Sequence, residues 1–146
     1  KLLNDTPIPY GSGFAFNRIS SGAAITYKGE VKESATTLPT VGGFTLCGNV
    51  MPKDATLADI SANDAFVAGS DSISLFNGGA FDKKVTFYPY DDPDDFGISG
   101  GWYEIEDFES DEPKLLNDTP IPAGLGFAFN RISAAARIIV ANPIAE

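Results

Sequence analysis

KLLNDTPIPAGLGFAFNRIS, residues 114–133, also opens the chain as KLLNDTPIPYGSGFAFNRIS, residues 1–20. The copies align without a gap and differ only at Tyr10 against Ala123 and Ser12 against Leu125, which excludes chance similarity between two strands. In the first copy Pro7, Pro9, Gly11 and Gly13 make a turn-rich approach. GFAFNRI then sets Phe14 and Phe16 on one face and Ala15 and Asn17 on the other. Alternation with a period of two is the pattern of a β-strand. After each copy comes a second alternating stretch, with Ile25, Tyr27 and Val31 sharing a face after the first and Ile138 and Val140 aligned with Ile25 and Tyr27 after the second. The duplicated unit therefore reads as a whole β-hairpin with one wet face.

The intervening sequence repeats the β pattern. Phe44, Leu46 and Val50 fall at even spacing and predict a third strand with those residues on its apolar face, Cys47 lying opposite that face or near it. Leu57 and Ile60 are spaced for one or two turns of helix, which Asp54 or Thr56 would cap. Ile73 and Leu75 alternate before Asn77-Gly78-Gly79, and Phe81, Val85 and Phe87 alternate after it, so this segment predicts a tight hairpin that Pro89 ends. Trp102, Tyr103 and Ile105 begin another strand. The expected fold is all-β, an antiparallel β-sandwich or barrel-like stack of about eight short strands, with at most one short helix near residues 54–61.

A chain of 146 residues, 43% hydrophobic and 12% aromatic, is long enough and apolar enough to bury one core without a disulfide or metal staple. Its formal charge of −10 repels phosphate backbones and disfavours nucleic acid as a partner. The absence of histidine removes the commonest general base and transition-metal ligand, and with them most hydrolase and metalloenzyme chemistries. Cys47 stands alone, so no intrachain disulfide forms, and a packed, inert thiol is expected. No apolar run is long enough to insert in a membrane as a helix. The start at Lys1 without Met reads as processing or as excision from something longer.

The copies lie 113 residues apart, longer than a solenoid repeat and about the size of a domain. Residues 1–35 read as an N-terminal hairpin duplicating the C-terminal one, and residues 36–146 as the main β-domain. Three readings follow. The first hairpin is an overhang from a tandem array, it is one of two equivalent hairpins in a pseudo-symmetric domain, or it docks on a neighbouring molecule. Head-to-tail docking of that last kind does not close and makes filaments. Its anchors would be Phe14, Phe16, Ile19, Ile25 and Tyr27, and its partner a copy of the same chain.

Ten of the 20 acidic residues fall between Asp91 and Glu112, with no Lys or Arg from Val85 to Pro113. Asp91, Asp92, Asp94 and Asp95, followed by Gly97, could offer oxygen ligands to calcium, although the spacing is not that of an EF-hand loop. The same residues also suit a solvated acidic face that keeps a β surface soluble. No carboxylate pair is singled out for glycosidase chemistry, and no enzyme activity is expected. Tyr90, Trp102 and Tyr103 flank the run and could stack on sugars of an extracellular polysaccharide, or could simply be core.

The order GFTLCGN, SDSISLFNGGAF, an acidic turn with GWYE, and PIPAGLGFAFNR before an ARIIV strand resembles small secreted β-rich proteins of Verrucomicrobia and related bacteria. These are built of two tandem halves, each running from a Gly-Phe-x-Leu-x-x-Asn strand through a Phe-Asn-Gly turn to a Pro-x-Gly-x-Gly-Phe strand. The resemblance implies an exported β-domain and transfers no catalytic residue. Here the copies are far closer to identity than ordinary halves, and the acidic loop is enlarged. Together these features lead to the expectation of a secreted or cell-surface structural subunit of a self-associating layer or filament, with a glycan-binding module as the alternative.

Overall fold

The computed structural model describes residues 5–15, 19, 21–22, 26, 33–38, 42–77, 80–89, 99–106 and 113–141. Among these, ten short strands and a single 3-10 turn account for the regular structure: β1 (Thr36–Thr37), β2 (Gly43–Gly48), β3 (Ala55–Thr56), β4 (Ile60–Ala62), β5 (Ser72–Asn77), β6 (Ala80–Tyr88), β7 (Gly101–Glu104), β8 (Pro120–Ile121), β9 (Gly126–Arg131) and β10 (Ile138–Val140). All pairings are antiparallel. They form a five-stranded sheet in the order β2-β9-β5-β6-β7, a three-stranded sheet β1-β10-β4 and a two-stranded ribbon β3-β8. The all-β sandwich-like fold agrees with the alternation in the sequence.

The second copy lies at the centre of this arrangement. Phe127 faces Cys47 on one side and Leu75 on the other, while Phe129 faces Thr45 and Ile73. Both phenylalanines are fully buried. They meet Ile138, Val140 and Ile60 from the three-stranded sheet, Leu38 just after β1, and Ile121, Ala55 and Leu57 from the ribbon and the 3-10 turn, in one core. Phe66 stacks on Phe129 with ring centroids 6.0 Å apart and meets Trp102 edge-on at 6.0 Å. The Trp102 indole N–H donates to the Ile60 carbonyl at 2.6 Å, tying one sheet to the other.

Four details depart from the sequence reading. First, β9 and β10 are not a hairpin. They lie in different sheets, and the chain crosses the core's edge between Arg131 and Ile138. The crossing arises because both strands bury apolar side chains from opposite sides of the core. It is held by side chains rather than by a ladder, with Asp71 Oδ1 accepting the Ile132 and Ser133 amides and Asn63 Oδ1 accepting the Arg137 amide.

Second, β2 has the opposite phase. Pairing of Cys47 with Phe127 turns Cys47 inward and leaves Phe44 and Leu46 exposed, because a shift of one residue exchanges the two faces of a strand. Third, β6 places two residues, Asp82 and Lys83, against Leu75 between the Ser74–Lys84 and Phe76–Phe81 pairs. This bulge reverses the alternation and moves Phe81 off the face that Val85 and Phe87 share. Asn77 pairs with Ala80 at the end of the ladder, and Gly78 and Gly79 lie outside the described residues. Fourth, the expected helix is one 3-10 turn, Leu57–Asp59, and Ile60 already belongs to β4. Thr56 does begin it, its amide and hydroxyl donating to the Asp59 carboxylate at 2.8 and 3.3 Å.

Candidate functional site: the β2 edge and the first copy

β2 is the outermost strand of the five-stranded sheet, and its outer side carries residues 11–13 of the first copy. Ser12 bridges Cys47 in antiparallel fashion. The Gly13 amide donates to the Leu46 carbonyl and the Gly48 amide to the Gly11 carbonyl, each at 3.0 Å. Tyr10 adds a hydroxyl bond to the Val50 carbonyl at 3.2 Å. Close approach requires a glycine at 13, since a Cβ there would stand 2.8–3.0 Å from the Cys47 backbone. The sheet's opposite margin is already closed, by a Tyr103–Leu115 bridge and a Leu116 amide bond to the Trp102 carbonyl. Thus β2 lies between the two copies, with β9 along one side and residues 11–13 along the other.

The same sequence meets two environments. Ile121 is 2% exposed and its twin Ile8 is 69% exposed; Phe127 is 1% exposed and its twin Phe14 is 52% exposed. The second copy is also gripped by side chains of the main domain. Asn49 Nδ2 donates to the Ile121 and Pro122 carbonyls, Asp54 accepts the Ala123 amide, and Asp71 holds Ile132 and Ser133. The first copy's described contacts with β2 run through backbone atoms and the Tyr10 hydroxyl. Such contacts are short-range and sequence-tolerant.

Of the expected assembly residues, Phe14 is half exposed beside the β2 edge. Ile19 is exposed, as is its twin Ile132, so that position faces outward in both copies. Phe16, Ile25 and Tyr27 lie outside the described residues. The sugar-stacking platform is not presented by Trp102 or Tyr103. Both are buried, Trp102 in the core and Tyr103 with its hydroxyl donating to the Ser99 carbonyl at 2.6 Å. Tyr90 and the proposed calcium ligands Asp91, Asp92, Asp94 and Asp95 lie outside the described residues. No metal-holding group of carboxylates and thiols occurs among the described residues, and no described helix is long and apolar enough to cross a membrane.

Sequence reading missed the outer face of the five-stranded sheet. Phe44, Phe76 and Phe81 gather there, with ring centroids 5.6 Å apart for Phe44–Phe81 and 5.5 Å for Phe76–Phe81. Only the bulge and the reversed phase of β2 bring these rings onto one face, and neither leaves a local sequence signal.

Cys47, on the inner face of β2, is inert by its surroundings. Burial pushes its thiol pKa up to about 11, against a smaller opposing effect of the Phe129 backbone. Thiolate is the reactive form, so at pH 8 about one molecule in a thousand is reactive. Labelling of native protein with a disulfide reagent is expected to proceed at least 100-fold more slowly than in denaturant; equal rates would contradict the burial of this face.

No family model, curated protein or solved structure matches the chain.

Proposed function

We propose that the protein is a non-catalytic, exported structural subunit that self-associates into a surface layer or filament, the N-terminal copy of one molecule docking on the β2 edge of the next. The observation that carries this reading is the docking of residues 11–13 on β2 through backbone bonds, while Ile8 and Phe14 remain exposed and their twins are core. A segment held in cis by an edge is exchangeable with the same segment from a neighbour. The exchange is head-to-tail, so it propagates instead of closing. An exposed aromatic face beside that edge supplies apolar area for packing. The net charge of −10 favours dispersal of free subunits. Export accords with the resemblance to secreted β-rich proteins.

Gly13→Ala tests this directly, because the added methyl collides with the Cys47 backbone and expels the segment while leaving the core intact. Light scattering and negative-stain microscopy should show high-mass assemblies for the wild type. Gly13→Ala and a chain lacking residues 1–20 should be monomeric, with melting temperatures within a few degrees of wild type. A monomeric wild type at high concentration, or assembly by Gly13→Ala equal to wild type, would sink the reading.

A further inference from the structure

We infer that the place filled by β9 is an acceptor site for either copy, and that the chain's own N-terminal copy can enter it, closing residues 1–113 into the fold that residues 34–146 form in this structure. This inference does not depend on self-association. Because copy two follows copy one by 113 positions, residues 1–113 and 34–146 share residues 34–113 and carry a copy of the duplicated stretch at opposite ends, as a circular permutation would. There are two claimants and one site.

The grip on the second copy uses atoms that the first copy repeats. Asn49 binds the carbonyls of Ile121 and Pro122, whose twins are Ile8 and Pro9. Asp54 accepts the amide of Ala123, whose twin is Tyr10. Asp71 accepts the amides of Ile132 and Ser133, whose twins are Ile19 and Ser20. Asn117 Oδ1 accepts the Trp102 amide, and its twin is Asn4. The buried Ile121, Phe127 and Ala128 correspond to Ile8, Phe14 and Ala15.

The first copy is also already shaped for the site. The Ser12 amide bonds the Pro9 carbonyl at 3.0 Å, as the Leu125 amide bonds the Pro122 carbonyl at 3.0 Å. Gly11 has a φ of 82° and Gly124 one of 75°, so both copies make the same left-handed turn. Chain connection permits the exchange. Val140 pairs with Thr36, and Val140 aligns with Tyr27, so residues 28–35 would join the incoming copy to β1 through an eight-residue loop, longer than a tight hairpin turn and sufficient to span antiparallel neighbours.

What ranks the claimants is the positions at which they differ, two of them buried or partly buried in the resident copy. Val140 is fully buried where the first copy has Tyr27, and a tyrosine there overpacks the core. Leu125 is partly buried where the first copy has Ser12. The C-terminal copy is therefore the resident and the N-terminal copy the substitute, a minor state that becomes dominant when the resident is impaired.

The test is a cycle of full-length variants read by thermal unfolding. Phe127→Asp alone should keep a cooperative transition at lower temperature, Phe14→Asp alone should leave it within a few degrees of wild type, and the double variant should lose it. Loss of the transition in Phe127→Asp as complete as in the double variant overturns the inference, as does a double variant that melts like Phe127→Asp. A milder cycle guards against simple failure to fold: Phe14→Ala should be silent in the wild type but lower the folded-to-unfolded ratio at least tenfold beside Phe127→Ala, and silence in both backgrounds overturns it. Light scattering on Phe127→Asp identifies whose copy enters. A folded monomer supports closure within one chain, whatever the assembly behaviour of the wild type, and a folded oligomer overturns it.

Discussion

Asp71→Ala is expected to cost about 4 kcal/mol of folding stability, because a buried acceptor that loses its side chain orphans several donors at once. Asp71 is fully buried and has few chances to be replaced by water. Its Oδ1 accepts the Ile132 and Ser133 amides at 2.7 and 2.8 Å, and its Oδ2 the Val67 amide at 2.8 Å. Its own carbonyl accepts from the Thr86 hydroxyl, which in turn accepts the Gly69 amide. One residue thus fixes the 67–71 turn, the start of β5 and the point where β9 leaves its sheet. Asp71→Asn should cost about half as much, since it keeps an acceptor for Ile132 and Ser133 but turns an NH2 group towards the Val67 amide.

The same contacts set a pH dependence. Burial alone would raise the carboxyl pKa of Asp71, but bonds from the Ser133 hydroxyl and the Ser133, Val67 and Ile132 amides outweigh it and hold the pKa below its ordinary value. A depressed native pKa contributes stability that is present above the unfolded value, near 4, and is lost as pH falls through the native one. Urea unfolding at several pH values should therefore show a wild-type advantage over Asp71→Ala that is full at pH 6–7 and shrinks below about pH 4. A gap that widens on acidification, or no gap at neutrality, would refute this account.

How far the sequence could be read depended on whether a position obeys local alternation. β9 was legible because Phe127 and Phe129 alternate without interruption and both edges of that strand are paired. β6 was legible as far as Val85, beyond which the bulge reversed its phase and took Phe81 to the outer face. β2 was misphased because Phe44 and Leu46 are its most apolar residues. The side that goes inward is decided by Phe127, 80 residues later, through its pairing with Cys47. Tertiary pairing overrides a strand's own pattern in this way whenever the outer face is also apolar. The β9–β10 crossover was illegible for another reason. Its supports are Asp71 and Asn63, polar residues far away in sequence that read locally as loop. The duplication itself was fully legible, but that one copy is core and the other lies along an edge depends on which of them β5 and β2 enclose.

Trp102→Ala should reduce stability by about 4 kcal/mol, and the reason also bears on what the aromatics near the acidic run are for. The indole is fully buried, its ring 5.0 Å from that of Phe87 and 6.0 Å from that of Phe66. Removing it opens a cavity between the two sheets, with a cost in the range found for large aromatics in cores. Trp102→Phe retains most of the packing but strands the Ile60 carbonyl that the indole N–H satisfies, so a loss of about 2 kcal/mol is expected. Equilibrium urea unfolding followed by circular dichroism checks both values. Because Trp102 is the only tryptophan, its fluorescence in the wild type reports this site alone. Emission should be blue-shifted, shielded from acrylamide, and unchanged by soluble polysaccharides at concentrations that saturate sugar-binding modules, since no ring face is open to stack on. Quenching by acrylamide in the native state, or a shift on adding a polysaccharide, would mean that the core opens at Trp102 and would restore that residue to a binding surface.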